Sequence, residues 1–141
     1  MMDAQTLSDR IEIDDLLTRY SFAIDAHDWD RLDDVFTPDA HIDYTATGGI
    51  AGSFPEVKKW LAEMLPMFSA MQHAITQKQV EIDGDTARVR AYFLNPMQMA
   101  QEDGSTWQMD IGGAYVHSLV RTPQGWRSQR LHEELLGQRT D

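Results

Sequence analysis

Apolar positions recur at two different spacings along this chain, and the change between them divides it in half. From Thr6, with Asp9 three residues on as a capping pair, the residues Ile13, Leu16, Leu17, Tyr20 and Ile24 fall on one face of a helix that ends near Ala26. A second helix is expected over 29–36, capped by Asp28, with Trp29, Leu32, Val35 and Phe36 inward. Thr37-Pro38 closes it, because the residue before a proline is driven out of the α region. The run 40–45 reads as a strand and Thr47-Gly48-Gly49 as a loop. A third helix opens at Ser53 or Phe54 with Pro55 in its first turn; Val57, Trp60, Leu61, Met64 and Leu65 form its apolar face, and Pro66 lies near its end.

Beyond Ala70 the spacing shifts toward two. Asp83-Gly84, Gly104 and Pro123-Gln124-Gly125 mark turns. Between them run a strand with Val89, Ala91, Phe93, Asn95 and Met97 on one face, and a long strand alternating through Trp107, Met109, Ile111, Gly113, Tyr115, His117 and Leu119. A last strand covers 126–136. Helices first and strands afterwards is the α+β pattern. The expected fold is a single domain over 1–141, with N-terminal helices packed on a strongly curved, mainly antiparallel sheet. Gly112-Gly113 is placed to kink that sheet, and the curvature would enclose a cone-shaped hollow.

Composition narrows the chemistry. The chain has 141 residues, enough for one real core, and no cysteine, which excludes disulfides and thiolate chemistry. A formal net charge of −11 without a Lys/Arg cluster argues against nucleic acid or an anionic membrane as partner. No apolar run is long enough to span a bilayer. The polar, acidic start does not read as a signal peptide, and a cytoplasmic location is expected. The internal methionines Met64, Met67, Met71, Met97, Met99 and Met109 suit either core filling or a roomy apolar pocket.

Two residues stand out chemically. Asp25 falls at the end of the first helix, where the negative end of the helix dipole disfavours a carboxylate. His73, in Met71-Gln72-His73-Ala74-Ile75, would face the apolar side of a strand. Each alone has an ordinary reading, as a solvated acid or a hydrogen-bonded core histidine. Together they can form a general base, since a carboxylate on one imidazole nitrogen fixes the tautomer and strengthens the other as a base. Tyr20 and Tyr44 are either packing residues or donors to a substrate oxygen. Arg130 either faces inward with Trp126, Ser128 and His132 and meets an anion, or is solvated. His41-x-Asp43 and His132-x-Glu134 lack a third ligand at diagnostic spacing, so no metal site is expected. No phosphate-binding loop or serine elbow is present.

The segment D-x-x-D-W-D-R-L at 25–32, followed by I-D-Y at 42–44, Gln72-His73 and Gly125-Trp126-Arg127, resembles scytalone dehydratase and the wider SnoaL-like group of the nuclear transport factor 2-like superfamily. The resemblance implies a cystatin-like, cone-shaped α+β barrel, no cofactor, and a homo-oligomer, dimer or trimer. It further implies an Asp–His base at Asp25 and His73, with Tyr20 as a third catalytic residue. Tyr44 and Arg130 align with pocket residues of relatives, and Asn95, Tyr115 and Trp107 complete the expected substrate contacts. Where scytalone dehydratase has a second pocket histidine this chain has Asn95, and its Ser/Asn pair is replaced by Gly112-Gly113 and Tyr115, so scytalone is not the expected substrate. The expected activity is a cofactor-independent dehydratase or isomerase acting on a hydrophobic, oxygenated, cyclic small molecule. A non-catalytic binding protein or subunit of the same fold is the alternative.

Overall fold

The computed structural model describes residues 1–141. Helix α1 spans Ala4–Asp25 and buries Ile13, Leu16, Leu17, Tyr20 and Ile24, the face that the spacing predicts. Its cap is Asp3, whose carboxylate accepts from the Thr6 N–H at 2.7 Å, and not Thr6 itself. Asp9 is no capping partner either. It is buried and bound to the far end of the sheet. The helix stops where His27 enters the left-handed region (φ 54°). The His27 N–H then returns to the Ile24 carbonyl and the Asp28 N–H to the Ala23 carbonyl, an arrangement that closes helix C-termini. The second helix is only a 3-10 segment, Trp29–Asp34, and Asp28 makes no side-chain cap bond. Phe36 already belongs to strand β1 (Phe36–Asp43), so Pro38 sits inside a strand rather than beyond a helix end. A short strand β2 (Ala51–Ser53), not foreseen, pairs with β1 and leads into helix α2 (Phe54–Met64). Ser53 caps α2 and Pro55 occupies its first turn.

The remaining strands are β3 (Ala70–Met71), β4 (Ala74–Asp83), β5 (Thr86–Ala100), β6 (Thr106–Thr122) and β7 (Gly125–Thr140). They form one sheet with β1 and β2 in the order β2-β1-β7-β6-β5-β3, with β4 also on β5. All neighbours are antiparallel except β1 and β7. The expected α+β architecture is present, with α1 and α2 over the concave face. Ile13, Leu17, Val89, Phe93, Leu119, Trp126 and Leu131 belong to one buried cluster between them.

Two irregularities in the β6–β7 ladder shape that face. One lies at Gly112/Gly113, where the kink was expected. A Cβ on Gly113 would overlap the Glu134 carbonyl oxygen and approach Phe93 Cζ to 2.8 Å, whereas one on Gly112 meets nothing closer than a Leu94 methyl at 3.4 Å. Overpacking a rigid backbone contact costs about 1–3 kcal/mol or more. Gly113→Ala is therefore expected to lower the chemical-denaturation midpoint clearly, and Gly112→Ala to leave it nearly unchanged. The other irregularity makes Gln129 an extra residue, since Leu119 pairs with Ser128 but Ser118 pairs with Arg130.

Candidate active site

Between the two helices and the sheet lies a cavity of about 220 Å3 lined by thirteen hydrophobic residues among nineteen. Helix α1 contributes Tyr20 and Ile24, and the turn after β1 contributes Tyr44 and Thr47. Helix α2 and the turn after it bring Trp60, Leu61, Met64 and Met67. The sheet supplies Asn95, Met97, Met109, Ile111, Tyr115 and Glu133. Four of the six internal methionines singled out in the sequence, Met64, Met67, Met97 and Met109, are among the lining residues.

His73 lies on the cavity wall, but not in a strand. It occupies the break between β3 and β4. That break lets both its backbone and its ring turn toward the end of α1. His73 Nδ1 is 2.7 Å from Asp25 Oδ1, and the His73 backbone N–H donates to the same carboxylate at 3.1 and 3.0 Å. The Ser21 hydroxyl donates to the His73 carbonyl. The segment is thus clamped to α1 through both its backbone polar groups. These bonds also account for a carboxylate in the last turn of a helix, where the dipole alone would repel it. The ring is 9 % exposed and the carboxylate 25 %. With Nδ1 on Asp25, Nε2 is left with no partner in the chain, and it is the nitrogen available to the cavity.

Three tyrosines surround the inner end. The Tyr20 and Tyr44 hydroxyls are 2.6 Å apart. Only one proton can lie between them, so one hydroxyl proton remains free to point elsewhere. The Asn95 amide donates to the Tyr115 hydroxyl at 3.1 Å, which likewise leaves the Tyr115 proton free. The Asn95 Oδ1, fully buried, has no partner. Burial pushes the hydroxyls of Tyr20, Tyr44 and Tyr115 well above their ordinary range, which keeps them proton donors at neutral pH. Behind Tyr20, His117 is fully buried, bonded through Nδ1 to the Ser128 hydroxyl at 2.9 Å. Desolvation pushes it down to about 3, so it stays neutral.

Two expected contacts are absent from this site. Arg130 is exposed and does not line the cavity. The extra residue at Gln129 reverses the alternation, so that Trp126, Ser128, Leu131 and Glu133 point inward instead of Trp126, Ser128, Arg130 and His132. Trp107 shares a face with Met109 and Ile111 but lies beyond the cavity, in a polar surface dent beside Asp141. Strand β6 rises about 3.3 Å per residue, so Trp107 sits roughly 26 Å up the strand from Tyr115. Glu134 is held by Arg90 through two bonds of 3.1 Å and Asp43 by Thr45 at 2.6 Å.

Glu133 is the residue that sequence reasoning missed. It reaches the cavity from β7 and is bonded to the Thr47 hydroxyl at 2.7 Å. Burial pushes its carboxyl up to about 7, against the bond from Thr47, with the nearby Asp43 charge adding to the rise. One signal for it was on view. Glu133 and Glu134 are adjacent in a strand, so one of the two carboxylates must face inward whatever the register.

The family model described as the SnoaL-like domain matches residues 5–132. The protein Rv2910c of Mycobacterium tuberculosis (strain ATCC 25618 / H37Rv) is 46% identical over 128 residues, covering 90% of this chain and 85% of that one. Among solved structures, the Kfla4162 protein from Kribbella flavida is 30% identical with a TM-score of 0.85, over 97% of this chain and 95% of that one. The hexachlorocyclohexane dehydrochlorinase LinA-type3 from Novosphingobium barchaimii LL02 shares the fold at 19% identity, with a TM-score of 0.84 over 99% and 94% of the two chains.

Proposed function

From the premise that this chain belongs to the SnoaL-like domain family, we propose that it is a cofactor-independent dehydratase or isomerase acting on a hydrophobic, oxygenated, cyclic small molecule. The observation that carries the reading is the Asp25–His73 pair at 2.7 Å beside a largely apolar cavity. His73 Nε2 takes a proton from a carbon next to a carbonyl. Asp25 holds the tautomer that leaves Nε2 unprotonated and stabilises the imidazolium that forms. The free proton of the Tyr20–Tyr44 pair is donated to the carbonyl oxygen as it becomes an enolate. Tyr115 and Asn95 add polar contacts in an otherwise apolar pocket, the balance that orients a small molecule.

The bond between Asp25 and His73 at the wall of an open cavity supports the enzyme over a non-catalytic subunit of the same fold. A fold relative named for elimination of hydrogen chloride supports the reaction class by analogy only.

The test is a panel of cyclic β-hydroxy ketones followed by NMR in D2O. The protein is expected to exchange the proton next to the carbonyl for deuterium and to form the enone. Asp25→Asn is expected to slow both at least 100-fold, because the amide N–H would bond to Nδ1 and force the proton onto Nε2 while its carbonyl oxygen can still accept from the His73 backbone. Exchange at the rate of buffer alone, or a fully active Asp25→Asn variant, would remove the assignment.

A further inference from the structure

Glu133 has no part in the base chemistry just described, yet it is the one carboxyl group that lines the cavity. It belongs to the same wall as the tyrosine cluster. Glu133 and Tyr115 are directly opposed across the β6–β7 ladder, which places their Cβ atoms about 5 Å apart on the inner face. Its Oε2 has no partner in the chain, while Oε1 meets the Thr47 hydroxyl at 2.7 Å.

The Thr47 hydroxyl has one proton to give and lies 2.7 Å from Glu133 Oε1, while the Tyr44 carbonyl, 3.3 Å away, already accepts from the Thr47 and Gly49 backbone N–H groups at 3.2 and 2.9 Å. Oε1 can therefore accept from Thr47 while a proton on the unpartnered Oε2 stays free for a ligand. The cost of burying a carboxylate with no cation paired to it favours the neutral acid, and burial raises the group to about 7.

Resting on the base assignment above, we propose that Glu133 is the second catalytic group of this pocket, a neutral carboxylic acid that gives its proton to the departing oxygen, and that the substrate is therefore a β-hydroxy carbonyl compound that loses water. The step balances. The C–H bond breaks and its proton goes to His73 Nε2. The electron pair forms the C=C bond, the C–O bond breaks, and the oxygen takes the Glu133 proton and leaves as water. Glu133 is left as a carboxylate and His73 as an imidazolium, and exchange with solvent restores both. Moving a double bond releases no oxygen and would not call on this acid.

The test compares 3-hydroxycyclohexanone with 3-chlorocyclohexanone, since chloride leaves without a proton. In Glu133→Gln the ratio of hydroxy to chloro turnover is expected to fall at least 100-fold, in line with the ~10²–10⁴-fold contribution of a positioned acid. Equal losses on both substrates, or no loss on either, would overturn the proposal. His73→Ala is expected to lose both substrates together. If it retains both, the base assignment fails while the Glu133→Gln ratio still decides the acid.

A measurement that needs no turnover stands beside this one. In 13C-glutamate-labelled protein, with Glu133→Gln to assign the signal, the Glu133 carboxyl is expected to titrate near pH 7. The groups that face it are Tyr20 on α1, Asp43 on β1, Tyr44 and Thr47 in the following turn, His73 between β3 and β4, and Tyr115 on β6. A carboxyl that ionises near pH 4 would overturn the proposal whatever the substrates do.

Discussion

His73→Ala is expected to reduce turnover of a cyclic β-hydroxy ketone by about 10²–10⁴-fold, the range for removal of a positioned general base. On the proposed mechanism the loss should appear in kcat more than in KM, because a ring that only takes a proton in the transition state adds little to binding by the apolar walls. Folding should survive. The Asp25 carboxylate keeps its two bonds from the residue 73 backbone N–H, and the Ser21 bond to the residue 73 carbonyl does not involve the ring. A thermal midpoint within a few degrees of wild type is the control. The double variant Asp25→Asn/His73→Ala should be little worse than His73→Ala alone, since two residues that act as one base are not additive. A His73→Ala protein with wild-type kcat would mean that the imidazole does no chemistry.

The second large effect is on stability and comes from the opposite end of α1. Asp9 is 3 % exposed. It accepts from Arg121 Nη1 and Nη2 at 2.7 and 3.0 Å, from the Trp126 indole N–H at 3.1 Å and from Gln5 at 3.0 Å. The Arg121 guanidinium also lies 4.6 Å above the Trp126 ring. One carboxylate thus fastens the first turns of the helix to β6 and β7. Asp9→Ala removes the acceptor for a wholly buried indole N–H and for a guanidinium at the sheet end. Breaking such a pair from one side costs about 3 kcal/mol or more, or roughly 10 °C in Tm.

The pH dependence of that contribution has a definite sign. Bonds from Arg121, and then from Trp126, hold the Asp9 carboxyl well below the usual carboxylate range. The folded state therefore binds this proton less readily than the unfolded chain. The stabilisation is complete above about pH 4 and drains away as pH falls through the folded value. Asp9→Asn should flatten that acid limb in urea titrations, and a limb of unchanged steepness would count against it. Glu133 works in the reverse sense. Its raised value means that its share of stability is present in acid and is lost as pH rises through about 7.

Spacing in the sequence was enough to place both α-helices, the four long strands and the kink at Gly112-Gly113, because each depends on local periodicity and turn chemistry. Asp25, His73, Tyr20 and Tyr44 were legible for a related reason, since they sit in or beside a segment with a strong family pattern. The same spacing failed wherever one residue more or less changed a face. Gln129 is such a residue. A bulge there turns Arg130 outward and Glu133 inward, and strict alternation carries no mark of it. Likewise Trp29–Asp34 has helical spacing, yet it is too short and too tightly wound for an α-helix and gives way to β1.

By itself the chain determined an acidic α+β domain with a carboxylate and an imidazole in the right order, because hydrophobic period and residue type are local properties. Only the tertiary structure decided that these two groups meet at 2.7 Å, that Asp9 is a buried anchor rather than a cap, and that Glu133 and not Arg130 looks into the cavity. Those outcomes depend on contacts between residues as much as 117 positions apart and on a one-residue shift between strands. Distance along a sequence encodes neither.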